Sequence, residues 1–199
     1  MHKMLLDIPS RIETERLIMR PYENGDGVPY FRLLHQNIDH LKEHVDEVVT
    51  VENEEQAEIR IRELAADWVA RTRFVMSVWE KASKTMIGEI WIEPMKWDVP
   101  SLEIGWFLDK THEGKGFATE AVKAGLTFLF EDMNAHKVQV KVRETNTKSF
   151  KLAERCGFVK EGLLRDNARI EEDTWVGLLC YGMLKQEYEA LKSASIEKL

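Results

Sequence analysis

The longest periodic segment of this chain constrains most strongly what it can fold into. Between Gly116 and Asn134, apolar residues recur on one helical face, while charged residues and threonine occupy the opposite face. Strict alternation follows at once, with Val138, Val140 and Val142 separated by polar residues. An amphipathic helix that leads directly into a half-buried strand predicts helices packed against a sheet.

The segments before this helix predict one strand, two helices and three more strands. The first strand is expected at Arg16 to Arg20, and three extended runs near the middle of the chain predict an antiparallel meander. The two helices have their apolar residues at helical spacing. These residues are Phe31, Leu34, Ile38 and Leu41 in the first helix and Ile61, Leu64, Ala65 and Trp68 in the second. The meander strands are Phe74 to Trp79, Met86 to Ile92 and Leu102 to Leu108.

The segments after Val142 complete the predicted fold. A shorter helix is expected at Asn146 to Arg155, with strands near Phe158 to Arg165 and Asp173 to Leu184. A short helical pattern follows from Lys185 to Lys192, while Met1 to Pro9 and Ser193 to Leu199 are expected to fray. This order predicts an α+β fold with a mixed sheet, in a single domain over residues 1–199 with its core at about residues 10–190.

The charge and hydropathy of the chain exclude several classes of partner. With 28 basic and 35 acidic residues, the net charge of −7 offers no basic surface for nucleic acid and would attract cationic substrates. No apolar run approaches the roughly 20 residues that span a membrane, and we expect a cytoplasmic protein. Cys156 and Cys180 have neither redox nor zinc spacing, and we interpret them as buried free thiols.

A loop with two glycines precedes the long helix. Without Cβ atoms, Gly114 and Gly116 let the backbone approach an anion, and the start of the helix offers unpaired N–H groups and a positive dipole end. The loop lacks the third glycine of a dinucleotide fingerprint, and no serine or threonine follows its Gly-Lys as in a P-loop. Taken alone, the pair is equally consistent with a tight turn that starts a helix.

Four segments in order resemble the GNAT superfamily of N-acetyltransferases. They are Glu103 to Leu108 (EIGWFL), the Gly114-Lys115-Gly116 loop, Asn146 to Ser149 (NTKS) and Cys156 to Gly162 (CGFVKEG). Thr14 to Pro21 (TERLIMRP) is similar to the opening strand of the RimJ/RimL-like branch, whose named members acetylate N-termini of ribosomal proteins. The resemblance covers residue 14 to about residue 188.

The resemblance implies a sheet of about seven strands and acetyl-CoA as cosubstrate. In this family the parallel strands that correspond to Leu102 to Leu108 and Val138 to Val142 splay apart, and the pantetheine arm lies between them. Thr111 stands where the family has glutamine or arginine, which removes one side-chain contact with the phosphates. The cofactor-binding residues implied by the motif match are Trp106, Phe107, Leu108, Gly114, Lys115, Gly116, Phe117, Ala118, Thr119 and Asn146.

The catalytic groups are less completely matched. Ser149 lies about one helical turn after Asn146 and is our candidate general acid for the leaving thiolate, since the family's frequent tyrosine is absent. The serine is also consistent with local backbone hydrogen bonding. Ala168 occupies the position of a glutamate base in related enzymes, so Glu103 is our substitute base, or else a structurally bonded carboxylate.

Three hypotheses for the activity remain open at this point. The leading one is acetylation of a protein α-amino group, because such an amine titrates near 7.7 to 8.0, is substantially neutral at cytosolic pH and needs no strong base. The first alternative is acetylation of a small amine such as a polyamine or an antibiotic. The second is a non-catalytic regulator that binds acyl-coenzyme A. A homodimer partner is compatible with each hypothesis.

Two further features are set aside. His40 and His44 are four residues apart on a predicted helix, but no third ligand is identifiable, so we predict a solvated face and no metal. Trp91, Trp97 and Trp106 lie near the meander, where aromatic residues at strand spacing are more typical of a core than of a ligand platform.

Overall fold

A computed structural model describes residues 3–42, 50–171 and 173–196 of the chain. Its strands are β1 (Ile12–Glu13), β2 (Leu17–Pro21), β3 (Phe74–Glu80), β4 (Thr85–Lys96), β5 (Ser101–Leu108), β6 (Lys137–Arg143), β7 (Val159–Glu171) and β8 (Thr174–Leu184). Its helices are α1 (Gly27–Leu41), α2 (Glu54–Ala70), α3 (Phe117–Thr127), α4 (Thr147–Arg155) and α5 (Lys185–Ile196). The predicted order of strands and helices is confirmed.

The strands form one mixed sheet in the order β1-β2-β3-β4-β5-β6-β8-β7. Eight strands are present rather than about seven, because the two-residue β1 pairs antiparallel with β2 and is too short to show a periodic pattern. β5 and β6 run parallel, with Ser101 to Glu103 paired with Lys137 to Gln139. The predicted fold class and its parallel pair are therefore confirmed.

The chain clusters into two compact units, and the first comprises residues 1–93 and 105–125. Its core joins side chains of α1 and α2 to those of neighbouring strands, and the predicted apolar face of α1 is only partly right. Leu34 and Leu41 are buried, but Ile38 is exposed. The buried stripe instead includes Tyr30, Leu33 and the polar residue Asn37. The face predicted from hydrophobicity alone is therefore shifted by about one residue.

The start of α2 is determined by its capping residue. The side chain of Asn53 accepts a hydrogen bond of 2.9 Å from the amide of Gln56, and Glu54 and Glu55 follow in the first turn. Acidic side chains at this end favour the positive pole of the helix dipole. The acidic run from Glu52 to Glu58 therefore opens a helix.

Close backbone approaches fix the strands beside the first unit's core. A Cβ atom at Gly88 would lie 2.5 Å from the carbonyl oxygen of Phe107, and one at Gly105 would lie 2.2 Å from the ring of Trp91. Side chains larger than hydrogen are therefore excluded at both positions without rearrangement. Trp91 packs against the core here, which agrees with a structural role for this tryptophan.

The second unit comprises residues 94–104 and 126–199. Val138, Val140 and Val142 are buried, which confirms the alternation predicted for this strand. The segment after α3 continues as one wider helical turn at Phe128–Asp132, so the predicted long helix ends in a π-turn. Cys156 is buried and Cys180 half-buried, and the two do not form a disulfide bond.

The two chain ends are more ordered than predicted over their described residues. α5 continues to Ile196, because Tyr188 stacks on Phe130 at 4.7 Å and Lys192 pairs with Glu131 at 2.6 Å. At the other end, Lys3 to Leu5 form a 3-10 turn, and the guanidinium of Arg71 donates to the carbonyl of Leu6. Among the described residues, no helix has the length and apolar character that crossing a membrane requires.

Candidate functional site

The glycine loop between β5 and α3 is held at its start by two hydrogen bonds. The amide of Asp109 donates to the carbonyl of Ile87 at 2.7 Å, and the amide of Lys110 donates to the Asn37 side chain at 2.8 Å. Asn37 lies on α1, is only 3% exposed, and donates in turn to the carbonyl of Leu33. This buried amide was missed in the sequence, where its one signal is a polar residue at a core-facing helical position.

Asp109 organises the 3-10 turn at Lys110–His112. Its carboxylate accepts hydrogen bonds from the amide and hydroxyl of Thr111, at 3.1 and 2.8 Å, and lies 3.0 Å from His112 Nδ1. Burial alone would raise the pKa of Asp109, but these hydrogen bonds and one with Asn37 outweigh it and lower the pKa. The Thr111 hydroxyl is therefore engaged within the loop.

Both glycines of the loop adopt a left-handed backbone conformation. Gly114 has φ +73° and Gly116 has φ +83°, in the left-handed region that disfavours residues with a Cβ atom. Both residues are exposed, and a Cβ atom at Gly114 would meet nothing within 4 Å. The glycines are therefore required by the turn, and the outer side of the loop is open.

Four amides at the start of α3 have no partner within the helix. The first hydrogen bond of the helix runs from the amide of Glu120 to the carbonyl of Gly116, at 3.0 Å. The four preceding N–H groups, from Gly116 through Phe117 and Ala118 to Thr119, therefore have no partner within the helix. Such a row of donors at a positive dipole end is chemically suited to an anion such as a diphosphate, and the cofactor-binding role of these residues stays a prediction.

Other predicted site residues of the first unit flank this loop. Phe107 and Leu108 end β5 and are largely buried, whereas Trp106 is half-buried and Lys115 is exposed. His40 Nε2 lies 3.1 Å from the Glu113 carboxylate, so this histidine contacts the loop. The described residues contain no group of three metal-binding side chains, and His44 lies outside them.

The second unit carries the remaining predicted residues. Asn146 caps α4, and its side-chain oxygen accepts a hydrogen bond of 3.1 Å from the Ser149 amide. Ser149 is half-buried in the first turn of this helix. Further along α4, Glu154 accepts a hydrogen bond of 2.9 Å from the Tyr181 hydroxyl, and burial together with this carboxylate raises the pKa of Tyr181 to about 12. Tyr181 therefore stays protonated and fixes α4 on β8.

Glu103 forms an ion pair. Its carboxylate accepts a hydrogen bond of 2.7 Å from the ammonium of Lys141 on the adjacent strand β6, and its side chain is 21% exposed. This contact agrees with the structural alternative for Glu103, and its role as a base stays a prediction.

A family model described as "Acetyltransferase (GNAT) domain" matches residues 16–159. "Probable N-acetyltransferase YjcK" of Bacillus subtilis is 27% identical over 164 residues, which cover 80% of this chain and 89% of that protein. The spermidine N(1)-acetyltransferase of Vibrio cholerae is 36% identical over 95 residues, 48% of this chain and 53% of that enzyme. The solved structure of RimL, a ribosomal L7/L12 α-N-protein acetyltransferase, superposes with a TM-score of 0.81 at 16% identity, covering 87% of this chain and 97% of that one.

The two capping asparagines allow a matched test of Asn146. Replacing Asn146 with alanine removes the acceptor for the Ser149 amide, and replacing Asn53 removes the equivalent acceptor at the start of α2. We expect each substitution to lower the free energy of unfolding by about 0.5–2 kcal/mol in urea titrations. If Asn146→Ala left stability unchanged while Asn53→Ala lowered it, the capping contact of Asn146 would be contradicted.

Proposed function

This chain belongs to the acetyltransferase (GNAT) domain family and is an N-acetyltransferase that uses acetyl-coenzyme A, and from this premise we propose that its acceptor is the α-amino group of a protein N-terminus. The observation that carries the reaction is the open row of amides from Gly116 to Thr119, beside two glycines with positive φ. These groups suit the diphosphate of the cosubstrate, because they supply donors and a positive dipole end without side chains that block approach.

The pantetheine arm of acetyl-coenzyme A is bound by the other residues that the sequence predicted. The end of β5, at Trp106, Phe107 and Leu108, supplies backbone groups for the pantetheine arm, which lies there like an added strand. Asn146 uses its side-chain oxygen to cap α4, so its side-chain nitrogen is the group that donates to a pantetheine carbonyl. One residue thus serves both the helix and the cosubstrate.

In the reaction, the amine nitrogen attacks the thioester carbonyl carbon, the new C–N bond forms, and the C–S bond breaks. A strand amide near Phe107 donates to the oxyanion that develops, a contribution of about 3 kcal/mol in comparable sites. The Ser149 hydroxyl gives its proton to the leaving thiolate. The proton lost by the amine returns to the serine through water, so no net proton is gained or lost by the protein.

The α-amine is the favoured acceptor because neither position considered for a general base offers an unpaired carboxylate. Glu103 is paired with Lys141, and Ala168 supplies no carboxylate where related enzymes have one. An acceptor that is already neutral needs no such base. An α-amino group titrates at about 7.7–8.0, whereas a lysine amine titrates near 10.4, so only the former is substantially neutral near pH 7.5. RimL, which shares this fold, acts on a protein α-amine.

A polyamine is the second candidate acceptor. The net charge of −7 favours the approach of a cation, and the matched relative from Vibrio cholerae acts on spermidine. This alternative differs from the first in the charge of the acceptor, because a polyamine keeps several ammonium groups at neutral pH.

An acceptor panel distinguishes these two candidates. We expect peptides with a free N-terminus to release coenzyme A thiol from acetyl-coenzyme A faster than spermidine does, with mass spectrometry placing the acetyl group on the α-amine. The same peptides with a blocked N-terminus but a free lysine are the control and should release little thiol. Faster turnover of spermidine would instead support the second candidate, and equal turnover of blocked peptides would contradict the α-amine proposal.

Gly116→Val tests the diphosphate site. Valine is strained at φ +83°, and its side chain would lie beside the row of amides. We expect the Kd for coenzyme A, measured by calorimetry, to rise at least about tenfold, which corresponds to about 1.4 kcal/mol. Gly162→Val is the control, since a Cβ atom there meets nothing within 4 Å. Unchanged binding in Gly116→Val would contradict the assigned site.

Ser149→Ala tests the general acid. Removal of the hydroxyl should lower kcat by about tenfold or more while the Kd for coenzyme A stays near that of the wild type. Thr147→Ala, an exposed hydroxyl in the same helical turn, is the matched control and should keep full turnover. Equal kcat in Ser149→Ala and the wild type would remove the serine from the mechanism.

A further inference from the structure

Arg16 reaches the glycine loop from the segment just before β2. Its Nη1 donates to the carbonyl of Lys115 at 2.9 Å, and its guanidinium lies 4.3 Å from the ring centre of Phe117. A Cβ atom at Gly116 would be 3.4 Å from Arg16 Nη2. The arginine therefore contacts Lys115 and Phe117, on either side of Gly116, although about 100 residues separate it from them in sequence.

The same guanidinium is paired with Glu120 in the first turn of α3. Arg16 Nε and Nη2 each lie 2.6 Å from Glu120 Oε2, and the Arg16 amide donates to Oε1 at 2.9 Å. The Thr14 hydroxyl donates to Oε1 as well. Burial alone would raise the pKa of Glu120, but the hydrogen bonds from Thr14 and Arg16 outweigh it and lower the pKa. Glu120 is therefore ionised at neutral pH.

Peptide geometry links the Arg16 contact to the direction of an amide. In a trans peptide, the carbonyl of one residue and the N–H of the next point in opposite directions. Because Arg16 holds the Lys115 carbonyl, the N–H of Gly116 in the same peptide unit points away from the guanidinium. This is the first amide of the unpaired row at the start of α3.

The pairing with Glu120 also matters for charge. A carboxylate one turn inside the helix would repel a diphosphate bound at its N-terminus, because little solvent separates the two anions. Arg16 supplies the compensating positive charge, and its side chain remains 40% exposed beside the loop. The arginine thus orients a backbone amide of the loop and compensates the negative charge of Glu120.

We propose that Arg16 is a positioning residue for the diphosphate of the cosubstrate: it turns the Gly116 amide outward and neutralises Glu120. This inference rests on the proposed function, since it assumes that acetyl-coenzyme A binds at the loop. Nothing in the role requires Arg16 to touch the acceptor or the thioester. Substitution of Arg16 should therefore affect only those acetyl donors that carry the diphosphate.

The test compares a donor that has the diphosphate with one that lacks it. Arg16→Gln should raise the Kd for coenzyme A, measured by calorimetry, and the KM for acetyl-coenzyme A by roughly tenfold, with kcat little changed. Turnover with S-acetylpantetheine, which has no diphosphate, should match the wild type. Arg11→Gln is the control, because Arg11 also pairs with a glutamate near the N-terminus but is exposed and away from the loop.

Two further variants separate the effects of geometry and charge. Arg16→Lys keeps the charge but cannot bridge the Lys115 carbonyl and Glu120 with a planar fork, so an intermediate Kd is expected. Glu120→Gln removes the repelling carboxylate and leaves Arg16 charged, so coenzyme A should bind as tightly as to the wild type or more tightly. In Arg16→Gln/Glu120→Gln, part of the affinity lost in Arg16→Gln should return.

Several results would overturn the inference. Wild-type affinity in a folded Arg16→Gln protein would do so, as would equal losses with S-acetylpantetheine and acetyl-coenzyme A, which indicate a purely structural role. If Arg16→Gln did not fold, the Glu120→Gln variant would test the inference instead. A tenfold weaker affinity of Glu120→Gln for coenzyme A would show that the Arg16–Glu120 pair is only a structural cross-link, and would contradict the inference. Failure of the wild-type protein to bind coenzyme A would instead overturn the proposed function.

Discussion

The backbone between β5 and α3 can bind a diphosphate, as we propose, only if its amides stay unpaired and point outward. A flexible loop would turn such donors toward internal carbonyls or water, and binding an anion would then cost the entropy of ordering the loop. The chain avoids this cost with side chains from remote segments. Asn37 fixes the beginning of the loop, Asp109 fixes the turn inside it, and Arg16 fixes its last peptide. The donors are therefore held in place before any ligand arrives.

This arrangement explains why the first strand and first helix belong to the same compact unit as the loop. α1 contributes core side chains such as Leu34 and Leu41, and its one buried amide, Asn37, is directed to the loop. The segment before β2 likewise places Thr14 and Arg16 against Glu120. Packing and ligand binding are thus linked, because the elements that bury apolar surface also carry the polar groups that shape the site.

The sequence predicted those features whose physical cause is local. The amphipathic period of α3, the alternation of β6 and the glycines of the loop each depend on neighbouring residues, and each was predicted at its place. The contacts of Arg16 and Asn37 depend on partners 99 and 73 residues away, so no local pattern reveals them. Similarly, the buried face of α1 was misjudged because the residue that completes it, Asn37, is polar, and Ile38 beside it is exposed. α5 extends beyond its predicted end because Tyr188 stacks on Phe130, a tertiary contact that opposes fraying of the helix.

The distribution of charge around the two units indicates where the chain controls protons. Its carboxylates near the predicted site are already bound: Asp109 by Thr111, Glu120 by Arg16 and Glu103 by Lys141. For Asp109 and Glu120 the hydrogen bonds lower the pKa, which leaves little driving force for removing a proton. The hydroxyl of Ser149 differs, since only the amide of this residue is used to begin α4. In the proposed mechanism, the serine at the start of α4 protonates the leaving group, and no unpaired carboxylate is assigned to deprotonate an incoming ammonium. Under that proposal, selection of the acceptor falls to the amine's own pKa, so that an amine that is neutral at the pH of the solution would react first.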